Sequence, residues 1–285
     1  MSKADRRVAV FIADTHAGHR LGLMRPGVQL LDDSGPEART WTPATSAVQE
    51  WLWGCYTADI ADALAIAGRS PVTLVHNGDL TWGTRFASQL VSTRLADQLI
   101  IGAENLAPWY EQRNTRTVVL IEGTESHEFG EGSAAVALAA EMGRRYPKVA
   151  TVCTRHGNLL IGGVHIDTAH HGPTPGTRTW LTGNELRYYV RSILMGEVMR
   201  GNPPPDAVIR AHHHVGLHET VRQNGYTIEG WVLPAYAGMT HHSQQATRSA
   251  YRLSCGMLVL VIEGGRIAES HELWRELDLR QEVVV

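Results

Sequence analysis

Cysteine is scarce in this sequence, which limits the kinds of site and compartment that fit it. The three cysteines, Cys55, Cys153 and Cys255, lie far apart and are odd in number. They match neither the paired spacing of a structural zinc site nor the framework of a disulfide-stabilised secreted domain. We therefore expect a reducing compartment.

Long apolar runs and an excess of positive charge are also missing. No stretch approaches the ~18 apolar residues of a membrane span, and the N-terminal MSKADRRVAV has no apolar signal core. We expect a cytoplasmic protein without a membrane partner. The formal net charge of −3 gives no hint of a nucleic-acid-binding surface, so a nucleic-acid partner stays open without support from charge.

Apolar runs that alternate with helical patterns predict the fold of the first half. Buried strands are expected at 6–14, 72–79 and 115–123, and helices at 47–67, 86–112 and 133–146. Ser46 and Gln49 suit a capping box at the start of the first helix, and an interruption of the second is expected near Pro108. This half therefore reads as β-α-β-α-β.

The second half is richer in antiparallel strands. Hairpin turns are predicted at Gly157-Asn158, Asn224-Gly225 and Gly264-Gly265, and a helix at 183–201. No linker or repeat divides the 285 residues, so we expect a single domain over 1–285. The whole pattern predicts an α/β fold in which two packed mixed sheets carry helices on their outer faces.

Acidic and histidine side chains follow nearly every predicted apolar strand. The strand ends are Asp14-Thr15-His16, Asn77-Gly78-Asp79, Gly123 to Glu128, His170-His171 and His212-His213-His214. Taken alone, each group also suits a turn or a solvated loop. Ligands gather at the carboxyl ends of strands in open α/β sheets, so the joint occurrence favours one metal site at a common rim.

The residue types constrain the metal. Carboxylate and imidazole without thiolate suit Mn²⁺, Fe, Zn²⁺ or Ni²⁺. The candidate ligands are Asp14, His16, Asp79, His170, His212 and His214. These are more ligands than one ion needs, and a carboxylate shared by two ions ~3.5–4 Å apart explains the surplus.

Five short motifs resemble those of the calcineurin-like metallophosphoesterases, whose ordered motifs are D-x-H, G-D, G-N-H-E/D, a single H and G-H-x-H. Here DTH, NGD, GTESHE, AHHG and AHHH follow that order over residues 14–214. NGD, GT followed by a histidine, AHHG and PPPDAVIRAHHH are most similar to a branch common in bacteriophages and integrated elements. The resemblance implies a four-layer αββα sandwich of two mixed β-sheets flanked by helices.

The resemblance also implies a function. The family hydrolyses phosphate esters with two divalent ions, Mn²⁺ fitting best here, through attack of a metal-bound hydroxide. A phosphodiester or nucleic-acid-related substrate is slightly favoured by the phage-like motifs. By position, the first ion would be held by Asp14, His16 and His214, the second by His170 and His212, with Asp79 bridging. His127 would act as general acid for the leaving oxygen or stabilise the transition state.

Several alternatives stay open. His171 is the second choice beside His170. If the segment is extended, His213 points to the opposite side, because side chains alternate there, and we expect it to be structural or to lie outside the ligand set. The asparagine of the family's G-N-H-E/D motif is missing, so Glu125, Ser126 or water is expected to substitute, or the second site is weak. Ala211 replaces the usual glycine before His212.

Two other functions compete with the phosphoesterase. One is a non-catalytic scaffold of this fold that binds proteins, as in family members whose metal ligands have been lost. The other is a single-metal His/Asp hydrolase of another family.

Overall fold

Two β-sheets packed face to face form the centre of the structure, and helices cover both outer faces. The structure is a computed structural model, and it describes residues 6–32, 35, 37–130, 132–175, 179–240, 252–280 and 282–283. The predicted α/β fold, with two mixed sheets flanked by helices, is confirmed.

The helices lie at α1 (Ala47–Ala67), α2 (Leu95–Tyr110), α3 (Ser133–Arg145) and α4 (Asn184–Met199). The strands are β1 (Arg7–Ile12), β2 (Leu30–Asp32), β3 (Arg39–Trp41), β4 (Val72–His76), β5 (Thr115–Ile121), β6 (Ala150–Thr154), β7 (His156–Ile161), β8 (Val164–Ala169), β9 (Ala207–Arg210), β10 (Leu217–Gln223), β11 (Tyr226–Val232), β12 (Arg252–Glu263) and β13 (Arg266–Asp278). No helix among these residues is long and apolar enough to cross a membrane.

Both large sheets combine parallel and antiparallel pairs. The six-stranded sheet has the order β13-β12-β1-β4-β5-β6, and its strands β1, β4, β5 and β6 are parallel. The five-stranded sheet has the order β10-β11-β9-β8-β7, with β8, β9 and β11 parallel. β2 and β3 form a separate antiparallel pair. The parallel strands bring several carboxyl ends to one rim, as the sequence predicts.

Alternation along β1 shows how the layers form. Val8, Val10 and Ile12 pack in one apolar cluster with side chains of α1, α2 and α3. Ala9 and Phe11, on the opposite face, pack in a second cluster with the inner face of the five-stranded sheet. A strand that is buried on both faces must be apolar throughout, which explains the unbroken run in the sequence.

Helix α4 forms the fourth layer. Its side chains Leu186, Val190 and Leu194 are fully buried against Val208 of β9 and Ile228 of β11. The order of the layers is therefore helix, sheet, sheet, helix, and the site must lie where the strand ends open to solvent.

Most predicted elements are confirmed, including the capping box of Ser46 and Gln49 and the two later hairpin turns. The predicted turn at Gly157-Asn158 is wrong, because both residues lie within β7 and pair with β8. The turn is at Gly162-Gly163, where both residues have positive φ. Consecutive glycines take that conformation without steric cost, which makes this pair the better turn.

The second helix also differs from its prediction. It begins at Leu95 rather than near Phe86, and residues 87–89 form a short 3₁₀ turn instead. Pro108 lies inside α2 without ending it, in the last turn, where its missing N–H removes a single bond of the helical ladder.

His218 on β10 links the edges of the two sheets. Its Nε2 lies 2.9 Å from Glu229 Oε2 on β11, and its Nδ1 lies 2.9 Å from Glu272 Oε1 on β13. The ring stacks on Trp231 with centroids 4.6 Å apart, and the Trp231 Nε1–H donates to the same Glu272. Since both ring nitrogens face carboxylates, the protonated imidazole fits this position best.

We expect this link to stabilise the protein at low rather than high pH. The hydrogen bond to Glu229 raises the pKa of His218; burial opposes the shift, and Glu272 and Glu219 add to it. A raised folded-state pKa gives stability that is fully present below the unfolded value of ~6.5 and is lost as the pH rises through the folded value. His218→Gln should therefore lower the free energy of unfolding by only about 1 kcal/mol at pH 5.5, because the ion pairs are partly exposed to solvent. The loss should be smaller at pH 9, where the imidazole is no longer charged.

Urea unfolding at the two pH values measures this difference. His271→Gln is the matched control, since His271 pairs with Glu269 of its own strand and, among the described residues, joins no second element. A loss that is equal at both pH values would contradict the charged link.

Candidate metal centre

The strand-end residues singled out in the sequence converge at one rim of the two sheets. Their ligand atoms form overlapping groups in which all the atoms lie within 4.8 Å of one another. The groups are Asp14-His16-His214, Asp14-Asp79-His170, His16-Asp79-His127 and His170-His171-His212. The structure thus brings all six predicted ligands and His127 together; which of them bind metal stays a prediction.

A left-handed backbone places most of these side chains. Positive φ values occur at Asp14 (51°), His16 (45°), Asp79 (54°), His212 (77°) and His214 (54°). Asp and His adopt this region more readily than most residues, although each such position is strained by about 1–3 kcal/mol. The strand must turn sharply at its end for the side chain to face the rim, and surrounding contacts must hold that turn.

Hydrogen bonds between the loops after β1 and β4 hold two of these turns. The Asp14 N–H donates to Gly78 O at 3.0 Å, and the His16 N–H donates to Asp79 O at 3.1 Å. The Thr15 hydroxyl donates to the carbonyl of Leu80 at 3.1 Å. Each loop therefore fixes the ligand of the other.

Two glycines are required by close approach. A Cβ at Gly78, where φ is +93°, would lie 2.4 Å from His170 Nδ1, and a Cβ at Gly123 would lie 2.2 Å from the Asp79 nitrogen. Any side chain at either position would displace a candidate ligand. The glycines of the NGD and GTESHE motifs are therefore explained by the geometry of the site.

The buried Asp14 carboxylate is suited to a cation. Its Oδ1 lies 3.3 Å from His214 Nε2, 3.8 Å from His16 Nε2 and 4.0 Å from His170 Nε2. Yet this oxygen has no hydrogen-bond partner among the described residues, and neither does the buried His16 Nδ1. A buried carboxylate oxygen without a hydrogen bond, facing three imidazole nitrogens, fits metal coordination by mixed O and N ligands.

His170 is oriented by the chain around it. Its Nδ1 lies 2.8 Å from Asn77 O, and a carbonyl can only accept, so Nδ1 carries a hydrogen. Its Nε2 therefore faces the site, 3.2 Å from Asp79 Oδ2 and 3.2 Å from His212 Nδ1. A carbonyl that fixes the far nitrogen in this way is the usual support of a metal-binding histidine.

Charge is unevenly shared among the imidazoles. Burial lowers the pKa of His16 well below its ordinary value, and burial and His170 lower that of His212 to about 4. Burial also acts on His170, but Asp79 and Asp14 outweigh it and raise its pKa to about 10. Burial likewise opposes ionisation of Asp14, but His214 and His170 lower its pKa to about 2. Neutral imidazoles and ionised carboxylates are the forms that bind metals.

The sequence analysis left His170 and His171 as alternatives. His170 is 1% exposed and belongs to two of the ligand groups, whereas His171 is exposed and joins only the group with His170 and His212. A role for His170 as a ligand therefore does not exclude the same role for His171, because both place a ring nitrogen at the same end of the site.

His213 does not meet the condition of an extended segment. His212 and His214 have positive φ, so alternation of side chains does not apply there. His213 instead turns towards Gly172 O, 3.2 Å from its Nε2, and belongs to none of the ligand groups. It still lines the cavity above the centre.

Trp82 packs three histidines beside the site. Its ring lies 4.9 Å from His16, 4.5 Å from His127 and 4.2 Å from His19, between centroids. The Trp82 carbonyl oxygen lies 2.8 Å from His127 Nδ1, so this nitrogen carries a hydrogen and Nε2 faces Asp79 Oδ2 at 3.9 Å. The sequence analysis missed Trp82 because no motif marks it. Its ring packs against the histidines, and its backbone carbonyl contacts His127.

Thr124 was also missed. Its Oγ1 lies 3.3 Å from His170 Nε2, 3.3 Å from His212 Nδ1 and 3.4 Å from Asp79 Oδ2. The available signal was its position, directly after Gly123 at the end of β5. The prediction named Glu125, Ser126 or water instead, and both of these side chains are exposed.

A cavity of about 500 Å³ opens above the centre. Four of the candidate ligands, His16, Asp79, His212 and His214, line it together with His127. The lining also includes Arg85, Phe86, Arg252 and Leu253. Cavities of this volume hold small molecules, and these residues offer both positive charge and apolar surface.

Comparisons with known proteins give only distant likenesses. No protein-family model matches the chain, and a comparison with curated proteins gives no match. Among solved structures, zinc-bound wild-type Vps29 from Entamoeba histolytica is 11% identical, covers 96% of this chain and 99% of its own, and has a TM-score of 0.31. A single mutant of the same protein is 13% identical with the same coverage and TM-score.

The sulfate thiohydrolase SoxB from Thermus thermophilus is 11% identical, with a TM-score of 0.40. The match covers 98% of this chain but 57% of that structure. Likenesses this distant do not assign a function to this protein.

We expect Asp79→Ala to weaken binding at both ends of the centre, because Asp79 contacts His170 at one end and faces His127 and His16 at the other. Mn²⁺ affinity should fall by more than about 100-fold at each site. Metal analysis after dialysis and a calorimetric titration measure this. Asp79→Asn is a second variant of the same size, and Asp62→Ala, at an exposed position on α1, is the control. Two tightly bound ions in Asp79→Ala would show that Asp79 is not shared.

Proposed function

We propose that the protein is a phosphoesterase of the calcineurin-like metallophosphoesterase superfamily that works with two divalent metal ions. The observation that carries this proposal is the cluster of two buried carboxylates, Asp14 and Asp79, with several imidazoles beneath an open cavity. Within this cluster, Asp14 Oδ1 has no hydrogen bond among the described residues. The ordered motifs of the sequence agree with it. Mn²⁺ fits the mixed oxygen and nitrogen donors best, with Fe, Zn²⁺ or Ni²⁺ as alternatives.

The residues divide into two sets with Asp79 between them. Asp14, His16 and His214 would hold one ion, and His170 and His212 the other. When bound, divalent ions of this kind lower the pKa of a coordinated water and neutralise the charge on phosphate oxygens. The protein supplies the fixed positions of the ligands, through the left-handed turns and the carbonyl contacts described above.

His127 is proposed as the general acid. Its Nδ1–H is held by the Trp82 carbonyl, so Nε2 is the atom left to carry a proton towards the cavity. The same contact prevents the ring from rotating away. A proton delivered from Nε2 to the leaving oxygen would assist the step that is slowest for poor leaving groups.

We propose that the substrate is a phosphodiester or a nucleic-acid-related compound. Arg85 and Arg252 lie on the wall where negative charge would be neutralised, and Phe86 and Leu253 provide apolar contact for an esterified group. The net charge of −3 gives no support to a long polynucleotide partner.

A scaffold without catalysis is the competing proposal. Scaffolds of this kind lose metal ligands, whereas every ligand that the sequence predicts lies at the rim of this structure. A single-metal hydrolase is a third candidate, and the number of bound ions separates it from the first.

Turnover and metal content test the proposal together. Metal-free protein, prepared with a chelator, should not hydrolyse bis(p-nitrophenyl) phosphate, and addition of Mn²⁺ should restore hydrolysis with two ions bound per chain. The Asp62→Ala protein is the control for preparation. Two bound ions without turnover of any mono- or diester would favour the scaffold.

We expect His127→Ala to keep its metal and to lose turnover. The kcat for an alkyl phosphodiester should fall by about 10²–10⁴-fold, because a poor leaving group depends on the proton from Nε2. The loss for a nitrophenyl diester should be much smaller, since nitrophenolate leaves without help. Equal losses for both substrates would assign His127 to charge stabilisation instead. His19→Gln, which alters the other side of Trp82, controls for disturbance of the aromatic packing.

A further inference from the structure

We propose that the hydroxyl of Thr124 is a ligand of the second metal ion and takes the place of the missing asparagine. This inference rests on the proposed function. It assigns the open position to neither Glu125 nor Ser126, the two side chains that the sequence analysis named beside water.

The hydroxyl of Thr124 lies among the predicted donors of the second ion. Thr124 Oγ1 lies at nearly equal distances, 3.3, 3.3 and 3.4 Å, from His170 Nε2, His212 Nδ1 and Asp79 Oδ2. These three atoms are the predicted donors of the second ion. An oxygen that already lies within hydrogen-bond distance of all three needs little movement to share a cation with them.

The backbone and side chain of Thr124 are held in place by their surroundings. The Thr124 N–H donates to Asp79 Oδ1 at 2.6 Å, which ties the backbone of Thr124 to the shared carboxylate. On the preceding side, Gly123 has no room for a Cβ beside Asp79. The β-branched side chain of Thr124 has few χ1 choices, so its hydroxyl is placed before any metal arrives. A donor fixed in advance loses little entropy when it binds.

The neighbouring residues Glu125 and Ser126 are less well placed to bind the second ion. The Thr124 carbonyl accepts hydrogen bonds from the N–H groups of His127 and Glu128, at 2.8 and 3.0 Å, so the chain turns tightly after Thr124. This turn leaves Glu125 and Ser126 exposed, with Ser126 on the cavity wall. Glu125 belongs to none of the ligand groups formed by the described residues.

The chemistry of a hydroxyl has consequences for the site. A neutral alcohol is a weaker donor than a carboxylate and adds no negative charge beside Asp79. The exposed His171, whose donor lies within 4.8 Å of those of His170 and His212, offers a further neutral ligand. The second ion would then be held by one carboxylate, neutral imidazoles and a hydroxyl, and we expect it to bind more weakly than the first.

Thr124→Val tests the inference, because valine keeps the shape and the backbone N–H but lacks the hydroxyl. In a calorimetric titration of Mn²⁺ into metal-free protein, the unmodified chain should show a tighter and a weaker event. Thr124→Val should raise the Kd of the weaker event by about 10–100-fold and leave the tighter one unchanged. Thr124→Ser, which retains the hydroxyl, should bind both ions within about threefold of the unmodified protein.

Glu125→Gln and Ser126→Ala are the matched controls and should leave both events unchanged. Thermal unfolding of the metal-free variants checks folding; if Thr124→Val does not fold, Thr124→Asn replaces it and should tighten the weaker event. Thr124→Val with both events unchanged would overturn the inference, and so would loss of the weaker event in Glu125→Gln. An unmodified protein that takes up no Mn²⁺ would overturn the proposed function itself, which separates the two failures.

Discussion

The burial of two ionised carboxylates at one place is the constraint on which the rest of the site depends. Asp14 and Asp79 are almost completely removed from solvent, and an unpaired charge in such a position is strongly unfavourable. The surrounding imidazoles can stabilise these charges, and Asp79 and Asp14 raise the pKa of His170 to about 10 against the effect of its burial. A bound cation would take over that role. Close packing of the loops, the glycines without room for a Cβ and the left-handed turns all serve to keep these groups together.

Much of this arrangement could be predicted because strand ends are easy to find in the sequence. Unbroken apolar runs such as Val8–Ile12 mark strands that are buried on both faces, and the polar residues after them must lie at the rim. Backbone details could not be found in this way. The positive φ of His212 accompanies a contact with the distant Asp14, which the local sequence does not reveal. Thr124 was overlooked because a threonine at a strand end is common, and only the position of its hydroxyl among three donors sets it apart.

The supports of the site are mostly backbone groups. The carbonyls of Asn77 and Trp82 fix the rings of His170 and His127, and the N–H of Thr124 fixes Asp79. Backbone groups leave no residue-type signal, so residue 82 could change its side chain and still hold His127 through its carbonyl. Substitution of supporting side chains should therefore disturb the packing of this region more readily than the orientation of its histidines.

The separation of the ligands along the chain affects how the protein reaches its folded state. The His212 N–H bonds to Asp14 Oδ2, and the two residues are 198 positions apart. Contacts of such long range form slowly, because closing the long intervening chain costs conformational entropy before the contacts stabilise the fold. The β-α-β-α-β half has shorter-range contacts of its own, whereas the site is complete only when the residues after β9 are in place. We therefore expect the carboxylates of the first half to be buried late in folding, together with the last histidines.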